Sequence, residues 1–401
     1  MRDELRVVHV ITRLIVGGAQ ENTVASVLGL HRKPGIAVHL ISGPTEGSEG
    51  SLEPCFRGTP ELLSTASSLV RPIHPWKDVR ALTELRRQIS ERKPHLVHTH
   101  SGKAGILGRL AARRAKVPLI VHTIHGPSFG RFQGAVANAI FKQAERSVGR
   151  YTDHFISVAD AMTRQYLEAG IGRPGQFTRI LSGFELEPFL QARNDPAMRA
   201  SLGLKEKDFV VANIARLTEL KGHEDLFQVA KGVIEKCPHL KLLLIGDGPL
   251  RPKFEEVVRA LGLEQHVNFT GLVEPSRVAS LIGVADCLVH LSLREGLPRA
   301  LPQALAAGKP VISYDCDGAA EVCLDGKTGF LAQPGDLAKI GRHLVQFAGN
   351  PDLRRQLGEA GKEFVREQFG VNRMVDAIYE LYLRLCQQAG IRLMTTAHEV
   401  S

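Results

Sequence analysis

The segment Arg294-Glu295-Gly296-Leu297-Pro298-Arg299-Ala300, continued through Gln303 to Gly308, joins a carboxylate to the start of a helix. A strand-like run ends near Ser292, and Pro298 suits a first helical turn. Glu295 and the N–H groups of Arg299 and Ala300 then meet at a positive helix end, able to hold both hydroxyls and a phosphate of one ligand. Upstream, Ala215-Arg216-Leu-Thr-Glu-Leu-Lys221-Gly222 sets two cations after another strand-like run, with a helix starting near His223. A planar guanidinium and a point ammonium there could clamp a diphosphate. Two solvated surface cations would show the same pattern. A third segment, 12–20, carries Gly17-Gly18 between a strand-like run and a helical run over about 21–30. Paired glycines admit a ligand close to the backbone, and the helix start favours an anion. Such a pair also serves a plain tight turn.

Short apolar, β-branched runs must position these segments. Strands are expected at 7–11, 37–41, 96–99, 119–123 and 155–158, then at 209–214, 241–245, 267–269, 287–291 and 310–314. Most are followed by ten or more residues of helical period, which predicts an α/β fold of parallel sheets with helices on both faces. The order breaks between about 186 and 207, a polar stretch with Pro188, Pro196 and the charged Leu204-Lys-Glu-Lys-Asp208 run. We expect a linker there, between Rossmann-like domains at 1–185 and 208–370. Ligands bind beyond the carboxyl ends of strands in such sheets, so two facing domains would share one cleft.

Of 401 residues, 43% are hydrophobic and 23% charged, the balance of a globular enzyme. No apolar run reaches the roughly 18 residues of a membrane span. The first residues do not read as a signal peptide, and the six cysteines lack CxxC spacing, which suits a cytoplasmic protein with reduced thiols. The whole net charge of +9 lies in residues 1–190, with 25 Lys and Arg against 16 Asp and Glu; the rest holds 26 of each sign. That asymmetry fits an anionic partner, such as a membrane surface, a phosphorylated acceptor or nucleic acid, and equally a solvated basic surface. With 5% aromatics and no recognition motif, nucleic acid ranks last. The basic stretch 103–116, including Lys103, Arg109, Arg113, Arg114 and Lys116, and the segment 132–150 could form a membrane-facing patch. Their apolar faces fit better as sheet-covering core.

Taken in order, these motifs resemble the retaining glycosyltransferases of family 4, with the GT-B fold. The resemblance adds His98-Thr-His100-Ser101-Gly-Lys103, Val121-His-Thr-Ile-His125-Gly126, Gly246-Asp247-Gly248-Pro249, Phe269-Thr-Gly271 before Val273, and Gly318-Ala-Ala-Glu321. Each is modest alone; the ordered series is specific. It implies that Arg216, Lys221, the Gly17-Gly18 loop and backbone N–H of Arg299 and Ala300 hold the diphosphate of a UDP-sugar or GDP-sugar donor. Gly246 would line the same donor site, Glu295 would accept from a sugar hydroxyl, and backbone at Val273 would meet the base. His125 would touch the transferred sugar, although the residues alone also allow a packed histidine. The C-terminal helix, about 371–388, would cross back onto the first domain. The resemblance further implies transfer of a hexose-type sugar to a sugar or lipid-linked acceptor in polysaccharide or glycolipid synthesis. No metal or other cofactor is required, and the enzyme would be cytoplasmic or peripheral on the inner membrane face.

Two departures stand out. Gln303 occupies the place of a second glutamate that usually faces the ribose, and Ser182-Gly183-Phe184 replaces the usual Asn-Gly pair. A glutamine offers one acceptor oxygen where a carboxylate offers two. Asp315-Cys-Asp317 looks like a DxD metal motif, but its place at a turn favours a structural role. The alternation of His98 with His100, and of His122 with His125, puts each pair on one strand face, yet no carboxylate or cysteine completes a metal set. Gln303 leaves open a degenerate protein that only binds a nucleotide sugar, and the fold leaves open a sugar-nucleotide epimerase.

Overall fold

The computed structural model describes residues 4–47, 50–130 and 132–391. It divides after Phe184 and again before Val371, so that the chain from Val371 belongs with the first unit and Glu185–Gly370 forms the second.

The first unit holds strands β1 (Leu5–Ile11), β2 (Ile36–Ser42), β3 (Leu63–Thr65), β4 (Leu96–His100), β5 (Leu119–Ile124), β6 (His154–Ser157) and β7 (Phe177–Arg179). All pair in parallel, in the order β3-β2-β1-β4-β5-β6-β7. Strands buried on both faces read as near-continuous apolar runs, and β1 (LRVVHVI) and β5 (LIVHTI) do so apart from Arg6, His9, His122 and Thr123. Leu5, Val7, Leu96, Leu119 and Val121 face one core, with helices Gly18–His31 and Val371–Gln388. Val8, Val10, Val97 and Ile120 face the other, with helices Pro75–Arg92 and Gly102–Arg114.

Helix Val371–Gln388 buries Val371, Met374, Val375, Ile378, Leu381, Tyr382 and Leu385, the three-and-four spacing of a one-faced helix. Each aliphatic side chain so buried contributes about 1.5–3 kcal/mol. It packs so tightly on helix Gly18–His31 that a Cβ on Gly29 would lie 2.4 Å from Val375 Cγ2.

The second unit holds β8 (Phe209–Ile214), β9 (Leu240–Ile245), β10 (Val267–Gly271), β11 (Cys287–His290), β12 (Val311–Tyr314) and β13 (Gly329–Ala332), parallel in the order β10-β9-β8-β11-β12-β13. Both sheets are therefore α/β and doubly wound, as the sequence predicts. The ten expected strands are present, with ends shifted by at most two residues; β3, β7 and β13 are additional. Residues 186–207, read as a linker, carry short helices Glu187–Leu190 and Pro196–Ser201. Arg199 is buried there and donates to the carbonyls of Val284, Lys205 and Asp208, which ties this stretch into the second unit.

Candidate functional site

In the second sheet the chain winds outward from β8 to β9 and β10, and from β11 to β12 and β13 the other way. The order reverses between β8 and β11, the place where such sheets open a crevice for ligand. The loops past these two strands carry Arg216 with Lys221, and Glu295 with Arg299, Ala300 and Gln303. Backbone bonds lace the loops: Leu217 N–H donates to Asp247 O (3.0 Å), and Leu293 N–H to Leu220 O (2.8 Å). Gly222 (φ 71°) and Gly246 (φ 138°) adopt backbone that favours glycine. A Cβ on either would meet a carbonyl oxygen, of Leu291 at 2.1 Å and of Ala215 at 2.2 Å.

This lacing brings Lys221 Nζ to 2.6 Å from Glu295 Oε1, with the two side chains 26% and 18% exposed. His290 Nε2 lies 3.2 Å from the same oxygen, and Glu295 N–H donates to Asp317 Oδ2 (2.8 Å). Burial alone would push the Glu295 carboxyl up, but Lys221 and His290 outweigh it and hold the group well below the usual carboxylate range. His223, the first residue of helix His223–Ile234, is pulled down to about 4 by burial, then by Lys221 and His290. Both ring nitrogens of His223 and Nδ1 of His290 are buried without a hydrogen-bond partner among the described residues. Orphaned polar atoms beside an ion pair suit a polar ligand, because leaving them unpaired is costly.

Ala300 opens helix Ala300–Ala306, with Arg299 at its cap and Gln303 half-buried one turn on. The Gln303 backbone N–H donates to Arg299 O (3.2 Å), while its side-chain amide makes no hydrogen bond among the described residues. Gly246 follows β9 directly, and Val273 stands two residues past β10, the edge strand. Lys221 and Glu295 are thus in contact, Arg216 shares the Lys221 loop, and Val273 lies two strands further out.

His290 was missed because it sits within a buried strand run (CLVH) and has no motif spacing of its own. Asp317, at φ 50°, accepts from Glu295 N–H, while Asp315 accepts from Gln333 Nε2 (3.2 Å).

In the first sheet the order reverses between β1 and β4. Gly17 caps helix Gly18–His31, and its carbonyl accepts from Glu21 N–H (2.9 Å). His125 follows β5, partly exposed, with its Nε2 3.0 Å from His100 Nδ1. Burial pushes the His125 imidazole down to about 3, so the ring is neutral near pH 7. His98 and His100 share a face, as expected. His122 and His125 do not: they are three residues apart, and His122 turns to the opposite face to meet Thr99 Oγ1 (2.9 Å). His9, not singled out from sequence, joins His98 and His100, with ring nitrogens within 4.8 Å of one another.

The basic stretch 103–116 also needs correction. Arg109 is fully buried and paired with Glu145 (2.5 Å), so it adds nothing to surface charge. Leu107 and Leu110 pack against the core, as the sheet-covering reading required.

Two doubly wound parallel sheets, each with its candidate residues past the strand ends at an order reversal, form the GT-B architecture. Residues 17–181 match the glycosyl transferase 4-like domain, and residues 194–364 match glycosyl transferases group 1. The chain is 30% identical over 322 residues to EpsD of Bacillus subtilis, a protein assigned as a glycosyltransferase, with 78% of this chain and 82% of that one covered. It is 28% identical to the Escherichia coli UDP-Gal:alpha-D-GlcNAc-diphosphoundecaprenol alpha-1,3-galactosyltransferase, covering 79% and 82%. The fold is similar to that of Anabaena HepE in complex with UDP and glucose, with TM-score 0.80, 19% identity, and 95% and 100% of the two chains covered. The chain belongs to the group 1 glycosyltransferases, and it is a transferase.

Proposed function

We propose that this enzyme moves a hexose-type sugar, with retention, from a nucleoside diphosphate sugar to a hydroxyl of a sugar or lipid-linked acceptor, in surface polysaccharide or glycolipid synthesis. The Lys221–Glu295 pair at the order reversal of the second sheet carries this reading. It supplies an ammonium for a diphosphate and an ionised carboxylate for sugar hydroxyls within one contact. Arg216 and the N–H groups of Gly17, Gly18, Arg299 and Ala300 add to the diphosphate site. Gly246 keeps the adjoining loop free of a side chain, Val273 backbone meets the base, Gln303 the ribose, and His125 the transferred sugar.

In the transfer, the bond from the anomeric carbon to the phosphate oxygen breaks and the bond to the acceptor oxygen forms. The acceptor proton ends on the departing diphosphate. The protein's share is to stabilise charge growing on that phosphate and to orient the sugar, with no metal. The UDP-Gal donor named for the Escherichia coli relative and the UDP bound in HepE favour a uridine donor.

A panel of UDP-, GDP- and ADP-sugars, assayed for binding and slow hydrolysis with and without EDTA, tests the reading. Turnover of one donor, unaffected by EDTA, supports it; no binding of any donor brings forward a protein that no longer transfers. Gln303→Glu gives a sharper test. A charge-assisted hydrogen bond is worth about 1.5–3 kcal/mol, so a restored carboxylate tightens donor binding by roughly tenfold or more. Calorimetry showing equal or weaker binding would remove Gln303 from the ribose site.

No described helix is long and apolar enough to cross a membrane. Exposed apolar side chains nonetheless gather on the first unit: Ile73, Trp76 and Val79 beside Arg71, Lys77 and Arg80, and Val136 with Ile140 one helical turn apart. We expect these, rather than the stretch 103–116, to meet an anionic bilayer. Trp76 is the single tryptophan and is 79% exposed, so selectively excited tryptophan fluorescence reports on this surface alone. Its emission shifts to the blue with phosphatidylglycerol vesicles at low salt and returns as salt is raised. An emission that ignores vesicles sinks the membrane expectation.

A further inference from the structure

A line of polar side chains runs along one face of the first sheet through an otherwise apolar core. His9 of β1 lies in register with His98 of β4, and His100 follows two residues on, on the same face. Tyr382, from helix Val371–Gln388, closes over them, and all four side chains are 0% exposed. Tyr382 Oη stands 3.3 Å from His9 Nε2, His9 Nδ1 2.9 Å from His100 Nε2, and His100 Nδ1 3.0 Å from His125 Nε2. A branch joins Tyr382 Oη to His98 Nδ1 (2.5 Å), and His98 Nε2 to Thr123 Oγ1 (2.6 Å). Among the described residues nothing bonds to Nδ1 of His125, which is left open to a ligand.

Burial holds each of these imidazoles below its ordinary range, so each is neutral and has one N–H and one bare nitrogen. Every link needs one donor and one acceptor, and a buried unmatched nitrogen is costly. One choice therefore fixes the whole chain. If the Tyr382 hydroxyl donates to His9, then His9 Nδ1–H donates to His100, and His100 Nδ1–H to His125, whose own hydrogen must sit on Nδ1. If that hydroxyl donates to His98 instead, every link reverses and His125 Nδ1 is bare. Thr123 can donate or accept, so the branch fits either direction. The single hydrogen of Tyr382 thus decides whether His125 offers its ligand a donor or an acceptor.

We infer that Tyr382, His9 and His100 are positioning residues, which fix the tautomer and ring orientation of His125 from the C-terminal helix. The inference deepens the reading of His125 as the group that meets the transferred sugar. A neutral histidine held in one tautomer can bond a sugar hydroxyl in only one sense at Nδ1, and that selects how the sugar lies.

The test is nitrogen-15 NMR of histidine-labelled full-length protein, in which two-bond couplings show which ring nitrogen of His125 carries hydrogen. The unchanged protein shows one tautomer. Tyr382→Phe keeps the buried ring, removes only the hydroxyl, and gives a mixture. Transfer by that variant falls in kcat by roughly tenfold with KM little changed. His100→Ala also mixes the tautomers, and His100→Asn, whose amide reaches the same position, restores one. A single unchanged tautomer in Tyr382→Phe, or a mixture in the unchanged protein, overturns the inference. So does one tightly held zinc ion per chain that is lost in His9→Gln, since ligated nitrogens cannot pass on these hydrogen bonds. The NMR reading uses no donor. A His125→Ala protein with full transfer activity would therefore defeat the site reading while leaving the tautomer result standing.

Discussion

Lys221→Ala lowers sugar-transfer turnover by roughly 100- to 1000-fold, the loss typical when one group aimed at developing charge is removed. The ammonium is 2.6 Å from Glu295 Oε1, which holds it at the order reversal of the second sheet. Removing it leaves Glu295 with His290 and with the Glu295 N–H bond to Asp317, and the loop remains tied by the Leu293–Leu220 backbone bond. The pair is only partly buried, so stability changes by about 1 kcal/mol. Turnover with the donor found by the panel, read beside a urea midpoint, separates the two effects. Turnover close to that of the unchanged enzyme would refute the diphosphate role. A collapse of the urea midpoint would show a structural role instead.

Arg109→Ala destabilises the first unit by about 3–5 kcal/mol, the cost of stripping one partner from a buried ion pair. Neither Arg109 nor Glu145 is exposed at all. The guanidinium also donates to Gly105 O (2.7 Å) and Thr152 Oγ1 (3.4 Å), while Glu145 Oε1 has no partner among the described residues. Without Arg109 a whole carboxylate is stranded in the core. Replacing both, as Arg109→Met with Glu145→Leu, recovers most of the loss, because apolar side chains of similar volume need no partner. Urea unfolding of the single and double variants measures this. A loss below about 1 kcal/mol in the single variant would mean that water reaches Glu145.

Most strands legible in the sequence are buried along nearly their whole length and read as largely apolar runs; β10, half-buried at a sheet edge, is the exception. The strands that escaped, β3, β7 and β13, are three or four residues long and lie at sheet edges, with only β13 carrying fully buried residues, Gly329 and Ala332. Short half-covered strands need no apolar run, so they leave no periodic mark. The loop residues of the second sheet were picked out by the ordered series of motifs, since glycines and charges past a strand also make ordinary turns. What could not be read was which of them touch. Lys221 and Glu295 are 74 residues apart, and only the parallel winding makes them neighbours. The same holds for Arg109, which reads as surface charge until Glu145, 36 residues on, is folded against it. His9 is hidden in a strand that is aliphatic apart from Arg6, and its partners come from two other elements, β4 and helix Val371–Gln388.

The return of residues 371–388 to the first unit has a consequence for the order in which the protein is made. Synthesis completes 185–370 while the first sheet still lacks the helix that seals one of its faces, with Val375 against Gly29 and Tyr382 over His9 and His98. The second unit can therefore finish folding on the ribosome first, although it is second in sequence. Until residues 371–388 emerge, the first sheet presents an apolar face on which His9 and His98 lack the Tyr382 hydroxyl. A nascent chain paused at that point is the form most in need of a chaperone.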